Sequence, residues 1–187
     1  MTKGIKSLFR DPPVLYTDRL TLRRMQKSDY EDMFDYCKSK ELTKYLTWHP
    51  HPDKGYTHKY LSYVQSKYRT GEFFDWAVVY EGRMIGTCGF TTLSEEHLNG
   101  EIGYVISEKY QNMGLATEAV KRVIEFGFDV LGLRRIEAHY MVGNDASRRV
   151  MEKAGMTFEG IQRDSMYVKG RYVSVGICSV LKTEYKR

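Results

Sequence analysis

Cysteine is scarce in this sequence, and long apolar runs are absent from it. The three cysteines, Cys37, Cys88 and Cys178, are never spaced as C-x-x-C, so they predict neither a disulfide framework nor a zinc site. No apolar stretch approaches the roughly 18 residues needed to cross a bilayer, and the first residues lack the apolar core of a signal peptide. We therefore expect a cytoplasmic protein that is not bound to a membrane.

Two nucleotide-binding motifs are also missing. The sequence contains neither G-x-x-x-x-G-K-[ST] nor G-x-G-x-x-G, so a phosphate site of the P-loop or dinucleotide type is not expected. The net charge of +5 arises from 29 basic and 24 acidic residues that are scattered along the chain. Such a distribution gives little reason to expect a direct nucleic-acid partner.

The composition is that of one globular domain, with 42% hydrophobic and 28% charged residues. Residues 1–14 are expected to form an N-terminal tail, because Pro12 and Pro13 discourage regular structure. The remaining residues, 15–187, are expected to form the domain, and they contain no repeat or internal linker.

Seven strands and four helices are predicted from the hydrophobic periodicity. The first strand covers 15–25, and a capping box of Ser28 and Glu31 opens a helix over 29–38. A second helix, around residues 60–68, ends at Gly71. The other elements are a hairpin of 74–80 and 84–93 turning at Glu81-Gly82, a loop containing Asn99-Gly100, a strand at 101–107, a helix over about 116–131, a strand at 135–141, a helix at 145–154, and two C-terminal strands joined at Lys169-Gly170.

The stretch QNMGLATEAV, residues 111–120, joins a predicted strand to a predicted amphipathic helix. A helix start leaves unpaired N–H groups with partial positive charge, and Gly114 would let a phosphate approach where a Cβ would intrude. The alternative interpretation is that Gly114 only completes a tight strand-to-helix turn.

Four segments of the chain carry a family resemblance. They are LYTDRLTLRRM, GEIGYVISEKYQNMGLATEAV, RRIEAHYMVGNDASRRVMEKAGM and, within the second, Gln111-x-x-Gly114-x-Ala116. The last resembles the Gln/Arg-x-x-Gly-x-Gly/Ala signature with which GNAT (GCN5-related) N-acetyltransferases bind the pyrophosphate of acetyl-CoA. From about residue 15 to 185 the chain looks most like the RimJ/RimL type, which includes ribosomal-protein N-terminal acetyltransferases.

The resemblance implies a mixed α/β fold with one mostly antiparallel sheet, in which the parallel strands at 101–107 and 135–141 splay apart. It implies acetyl-CoA as co-substrate, without a metal ion. The pantetheine arm is expected to pair with backbone between these strands, and an N–H near Val105 to polarise the acetyl carbonyl. The implied cofactor-binding residues are Tyr104, Val105, Ile106, Gln111, Asn112, Met113, Gly114, Leu115, Ala116, Thr117, Asn144 and Ser147.

The implied catalytic residues are Glu101 and Ser147. Glu101 lies where family members place a carboxylate that deprotonates the substrate ammonium, although it could be an ordinary carboxylate at a strand end. His139 is the alternative base, or a structural histidine. Many family members have a tyrosine that protonates the CoA thiolate where this chain has Met151. Ser147 is then the candidate acid, or else a cofactor contact, and Asn144 is a cofactor contact, a helix N-cap, or both.

Other polar residues carry weaker hypotheses. His49 and His51 could suggest a metal site, but no acidic or cysteine cluster completes one, and a substrate-facing loop is the favoured interpretation. Arg148 and Arg149 could reach CoA phosphates, although adjacent helix residues face different directions. Ser174 replaces an aspartate that is frequent in the family, which removes any substrate contact made by that aspartate.

The sequence therefore predicts transfer of an acetyl group from acetyl-CoA to a primary amine. The favoured acceptor is a protein N-terminal α-amine, with a ribosomal protein as its expected source. Two alternatives stay open, namely a small-molecule amine such as a polyamine, an aminoglycoside or an amino-acid-like metabolite, and a non-catalytic acyl-CoA-binding module. The sequence leaves open whether the chain is a homodimer.

Overall fold

The computed structural model describes residues 4–185, which form one sheet with helices on both faces. The strands are β1 (Leu15–Tyr16), β2 (Leu20–Arg23), β3 (Phe74–Tyr80), β4 (Arg83–Ser94), β5 (Asn99–Ile106), β6 (Arg135–Met141), β7 (Thr157–Val168) and β8 (Arg171–Leu181). The helices are α1 (Ile5–Phe9), α2 (Tyr30–Cys37), α3 (Lys40–Thr43), α4 (Lys54–Thr70), α5 (Leu115–Asp129) and α6 (Asp145–Lys153).

The spatial order of the strands is β1-β2-β3-β4-β5-β6-β8-β7. Among the strands of residues 4–185, only β5 and β6 pair in parallel, across the crossover made by α5, and the other pairs are antiparallel. The predicted mixed α/β architecture is thus confirmed. The strand count is eight because a turn at 17–19 splits the first predicted strand, and α1 and α3 are two short helices that the periodicity did not indicate.

The sheet separates two hydrophobic cores. The larger core packs the amphipathic face of α5, including Val120, Val123 and Ile124, against one face of the sheet. The smaller core joins α2 and α4 to the opposite face through Leu61, Val64 and other residues. Alternation along each strand decides which side chain enters which core.

The parallel pair is short, and this shortness creates the site described below. Residues 99–101 of β5 pair with residues 135–137 of β6, after which the two strands part. Beyond that point β5 stays paired with β4, and β6 stays paired with β8 up to Met141. The sheet is therefore two half-sheets joined by three residue pairs, with a gap between them.

Two of the three predicted turns are confirmed. A type I′ hairpin requires positive φ at both central residues. The φ angles are 48° and 78° in Glu81-Gly82, and 50° and 84° in Lys169-Gly170. The prediction of a loop at Asn99-Gly100 was wrong. Both residues lie in β5, because Gly100 packs against Leu93 and Phe90 across the β4–β5 pair and leaves no room there for a side chain.

The predicted capping box of Ser28 and Glu31 was also wrong. A 3₁₀ turn at Lys27–Asp29 precedes α2, and the Asp29 carboxylate accepts a hydrogen bond of 2.7 Å from the Gln26 N–H. Asp29 also pairs with the Arg23 guanidinium at 2.7 Å. Asp29 rather than Ser28 is therefore the residue before the first residue of α2, Tyr30, and its partly buried ion pair with Arg23 fixes the start of the helix.

The N-terminal segment is more ordered than a tail. Residues 1–3 and 186–187 lie outside the described residues, but 5–9 form α1, and Phe9 is fully buried against the rings of Phe74 and Trp76. The Trp76 indole N–H donates to the Pro13 carbonyl at 2.9 Å. Packing rather than propensity orders this segment. Among the described residues, no helix is both long enough and apolar enough to span a membrane.

Candidate functional site

A cleft of about 840 Å³ lies at the gap between β5 and β6 and is lined by residues from both faces of the sheet. Eleven of the predicted cofactor-binding residues line this cleft, as do Glu101 and His139. Met113 does not line it. The Met113 side chain is 42% exposed, and its carbonyl accepts a hydrogen bond from Arg19 at 3.0 Å.

The gap exposes backbone hydrogen-bonding groups of β5. The Ser107 N–H donates to the Ile85 carbonyl of β4 at 2.7 Å, so alternation directs the backbone groups of Tyr104 and Ile106 away from β4 and toward the gap. The Ile106 carbonyl accepts a hydrogen bond from the Gln111 side chain at 3.2 Å, which agrees with that direction. An extended chain could therefore add to β5 as a short strand in this gap.

The start of α5 has the geometry of an anion site. Gly114 is the N-cap with φ of 80°, and the first intrahelical bond runs from the Glu118 N–H to its carbonyl. The N–H groups of Leu115, Ala116 and Thr117 consequently have no intrahelical acceptor. A Cβ on Gly114 would meet no protein atom closer than 3.5 Å, so the space in front of the helix start is open to a ligand.

An ion pair that the sequence did not indicate holds this helix start in place. The Glu118 carboxylate accepts hydrogen bonds from the Thr17 hydroxyl and the Arg19 guanidinium, and Arg19 also binds the Met113 carbonyl. Burial alone would raise the pKa of Glu118, but these hydrogen bonds outweigh it and lower the pKa. The turn between β1 and β2 thereby fixes the loop that precedes α5.

The start of α6 faces the cleft from the other side of the gap. The Asn144 side chain accepts a hydrogen bond from the Ser147 N–H at 3.2 Å, so Asn144 is the N-cap and also lines the cleft. The Tyr104 hydroxyl lies 2.9 Å from both the carbonyl and the hydroxyl oxygen of Ser147. A second hydroxyl group, that of Tyr104, therefore lies beside the candidate acid Ser147. Burial raises the pKa of Tyr104, which keeps its phenol protonated near neutral pH.

The two predicted base candidates are neighbours. Glu101 and Glu137 are paired residues of β5 and β6, and His139 lies on the same face as both. His139 Nδ1 lies 3.6 Å from a Glu101 carboxylate oxygen, and Nε2 lies 3.4 Å from a Glu137 oxygen. Nε2 is buried and forms no hydrogen bond within residues 4–185. The three groups lie at the point where the strands part.

Aromatic side chains form the wall of the cleft next to α2 and α4. The predicted substrate-facing loop contributes Leu46, Thr47, Trp48, His51 and Tyr56. His51 bonds to the Thr57 hydroxyl at 2.8 Å, and its ring packs against three aromatic neighbours. Burial lowers the pKa of His51, which favours the neutral ring. Among residues 4–185, no three His, Cys, Asp or Glu side chains are grouped so that they could hold a metal ion.

Asp75 of β3 is a cleft residue that the sequence did not single out. Its carboxylate accepts a hydrogen bond from the Trp76 N–H at 2.9 Å and another from the Thr87 side chain. Burial raises the pKa of Asp75 to about 7 against the effect of these hydrogen bonds. The side chain retains some accessible surface, which faces the cleft.

The two arginines of α6, Arg148 and Arg149, face different directions, as their adjacent positions in the helix predicted. Arg149 lines the cleft, whereas Arg148 pairs with Glu152 at 2.8 Å and lies over the Phe158 ring. Ser174 does not line the cleft. Its hydroxyl oxygen accepts a hydrogen bond from the Asp164 N–H at 3.1 Å.

Comparison with protein families and curated proteins agrees with this geometry. The model for the acetyltransferase (GNAT) domain matches residues 19–157. The N-acetyltransferase p20 of Bacillus licheniformis is 34% identical, with 91% of this chain and 97% of that protein covered. The "Putative ribosomal N-acetyltransferase YdaF" of Bacillus subtilis is 27% identical over 90% and 94% of the two chains. A spermidine N(1)-acetyltransferase of Vibrio cholerae is 22% identical, with 89% of this chain and 95% of that protein covered.

Solved structures share the fold. A GNAT-family acetyltransferase from Bacillus anthracis superposes with a TM-score of 0.81 at 26% identity, covering 91% of this chain and 99% of that one. The ribosomal L7/L12 α-N-acetyltransferase RimL, solved with coenzyme A, superposes with a TM-score of 0.79 at 20% identity. The superposition covers 90% of this chain and 98% of that one.

We expect the substitution Gly114→Ala to weaken binding of coenzyme A by about tenfold or more, because the added methyl group occupies the open space before α5. Titration calorimetry with coenzyme A measures this change. Gly132→Ala is a matched control, since Gly132 also has positive φ (71°) and an open Cβ position but lies outside the cleft. Equal losses of affinity in both variants would contradict the assignment.

Proposed function

The chain belongs to the GNAT family of acetyl-CoA-dependent N-acetyltransferases, and we propose that its favoured acceptor is the α-amine at a protein N terminus, with a ribosomal protein as the expected source. The observation that carries the proposal is the position of Glu101, which lies at the parting of β5 and β6 beside the gap. Glu101, the predicted cofactor-binding residues and the aromatic wall all line the same cleft.

The residues of the gap fit acetyl-CoA. The free N–H groups at the start of α5 suit its pyrophosphate, and the exposed backbone of Tyr104 and Ile106 suits its pantetheine arm. Bound acetyl-CoA supplies a thioester, whose carbonyl carbon is the electrophile. A backbone N–H directed into the gap, next to Val105 in sequence, would stabilise negative charge on the carbonyl oxygen.

Two proton transfers accompany acetyl transfer. A C–N bond forms and a C–S bond breaks, so the acceptor ammonium must lose a proton and the departing thiolate must gain one. We assign the first role to Glu101, directly or through water, with His139 beside it as the alternative base. His139 Nδ1 lies 3.6 Å from a Glu101 carboxylate oxygen, so both candidate bases lie at the same point of the cleft.

We assign protonation of the thiolate to Ser147. The Tyr104 hydroxyl at 2.9 Å supports this assignment, because a phenol that stays protonated can donate to the serine oxygen as the serine proton leaves. Met151 cannot supply a proton at the position where many family members have a tyrosine. Tyr104 reaches the same region from the sheet instead.

A small-molecule amine is the second candidate acceptor. The match to a spermidine acetyltransferase supports it at 22% identity, and the match to YdaF supports a ribosomal acceptor at 27%. A non-catalytic acyl-CoA-binding module is the third hypothesis, and the combination of Glu101 with Ser147 argues against it. Cytoplasmic location and a homodimer stay predictions.

The acceptor is tested by thiol release from acetyl-CoA with matched peptides. A peptide with a free N terminus and no lysine should react faster than an N-acetylated peptide containing lysine, because an α-amine of pKa about 8 is neutral far more often near pH 7 than a lysine amine of pKa about 10.4. The reverse ranking would move the proposal to another amine. Release that no acceptor accelerates would favour the binding module.

Replacement of Glu101 tests the base. Glu101→Gln keeps the side-chain shape but cannot accept the ammonium proton, so kcat/KM should fall by about 100-fold at pH 7 and recover partly at higher pH, where solvent deprotonates more acceptor. A pH–rate profile of both enzymes measures the effect. An unchanged profile would transfer the role to His139 or to water.

Replacement of Ser147 and Tyr104 tests the acid. Ser147→Ala should lower kcat by roughly 100-fold, and Tyr104→Phe should lower it less, because serine then lacks only its proton donor. An acetyl thioester with a more acidic thiol should recover part of the rate in both variants. A rise in the KM for acetyl-CoA without such recovery would identify Ser147 as a cofactor contact only.

A further inference from the structure

Asp75 lines the cleft but takes no part in the acetyl transfer proposed above. Within residues 4–185 it forms no salt bridge, and its recorded hydrogen-bond donors are the Trp76 N–H and the neutral Thr87 side chain. Removing a carboxylate from water without a cationic partner is unfavourable. A ligand with a positive charge would supply that partner.

Asp75 and Glu101 lie on the same face of the sheet. Gly89 of β4 lies opposite both Asp75 and Gly103, and directly paired residues share a face of the sheet. Glu101 is two residues before Gly103 and points to the same face. Glu101 is separated from Asp75 by two strand spacings across the sheet and by two residues along the strand. These offsets put the backbones of Asp75 and Glu101 about 12 Å apart. The Asp75 carboxylate lies over Gly89 and the Thr91 side chain lies over Gly103, so a slender chain that joins the two carboxylates passes above these side chains.

Tyr36 and Tyr60 line the same cleft as Asp75 and lie on the same side of the sheet. Ala77, which shares a face of β3 with Asp75, packs in the smaller core with Tyr36, and Tyr60 packs against that core. Burial raises the pKa of each phenol. The Tyr36 hydroxyl is buried, and the described part of the chain gives it no hydrogen-bond partner of good geometry. Aromatic rings and a free phenol oxygen next to a carboxylate are groups that attract an ammonium ion.

The lysine and arginine side chains of the cleft lie at one end, whereas its carboxylates occur at both, with Glu108 close to the start of α5. Its basic side chains are Arg149 and Lys153, and both belong to α6 on the side of the CoA phosphates. The wall next to α2 and α4 contributes Glu41 and Asp75 and no lysine or arginine. An acceptor with a second positive charge is therefore favoured there over one with a negative charge.

We propose that Asp75, Tyr36 and Tyr60 form a subsite that binds a second, non-reacting ammonium group of the acceptor while its reacting amine lies at Glu101. The proposal rests on the acetyl transfer described above and narrows its substrate class. The ligand is a primary alkylammonium group, carried either by a linear diamine or by a lysine side chain close to a peptide N terminus.

Two matched pairs of acceptors test the subsite in the wild-type enzyme. The first pair is 1,8-diaminooctane and 8-amino-1-octanol, and the second is a short peptide with lysine at its second position and the same peptide with glutamine there. We expect kcat/KM to be at least about tenfold higher for the charged member of one pair, since a charge-assisted hydrogen bond is lost in the other member. Preference within the first pair identifies a diamine source, and preference within the second identifies a peptide source.

Asp75→Asn should reduce this preference to within about twofold, because asparagine keeps the hydrogen bonds to Trp76 and Thr87 but lacks the charge. Glu125→Gln is the control, since Glu125 is a carboxylate of α5 outside the cleft, and it should retain the full preference. The subsite proposal is contradicted if kcat/KM in the wild type is equal for the charged and uncharged members of both pairs. It is also contradicted if Asp75→Asn leaves the preference for the charged member unchanged. The wild-type comparison decides the matter even if the variant does not fold.

The same assay separates this inference from the proposed function. Thiol release that rises with every amine, charged or not, contradicts only the Asp75 subsite. Thiol release that no amine accelerates contradicts acetyl transfer itself.

Discussion

The early parting of β5 and β6 is the constraint on which the site depends. Three residue pairs join the two half-sheets, and each strand then follows its antiparallel neighbour. The break leaves the backbone groups of Tyr104 and Ile106 without a strand partner, which a continuous sheet would have satisfied. It also opens a passage between the two faces of the sheet, so that α5 and α6 on one face can act with α2 and α4 on the other.

The cleft combines opposite electrostatic requirements along its length. At one end, a helix start and two basic residues of α6 suit the anionic part of acetyl-CoA. Toward the other end, Asp75 is largely buried and has no salt-bridge partner within residues 4–185, and burial raises its pKa to about 7. Because the folded state then holds this proton more tightly than the unfolded chain, the group lowers stability as the pH rises from about 4 to about 7. Retaining a destabilising carboxyl is typical of a residue kept for function.

Sequence reasoning worked where local chemistry is decisive. Glu81-Gly82 and Lys169-Gly170 adopt the backbone angles that their residue types favour, and Gly71 ends α4 in the left-handed conformation. Sequence reasoning failed where contacts with residues elsewhere in the chain determine the local structure. Asp29 rather than Ser28 fixes the start of α2 because Arg23 lies beside it, and Phe9 orders the N-terminal segment because an aromatic pocket receives it.

The sequence by itself determined the mixed architecture, and it identified the start of α5 as a candidate phosphate site and Glu101, His139, Asn144 and Ser147 as site residues to consider. These follow from periodicity, from one glycine at a helix start and from motif resemblance within short segments. Only the tertiary structure brought Tyr104 to Ser147, Arg19 to Glu118 and Asp75 to the cleft. Each of these three depends on strands or helices that are far apart in the chain, so no local pattern of residues encodes the distance between them.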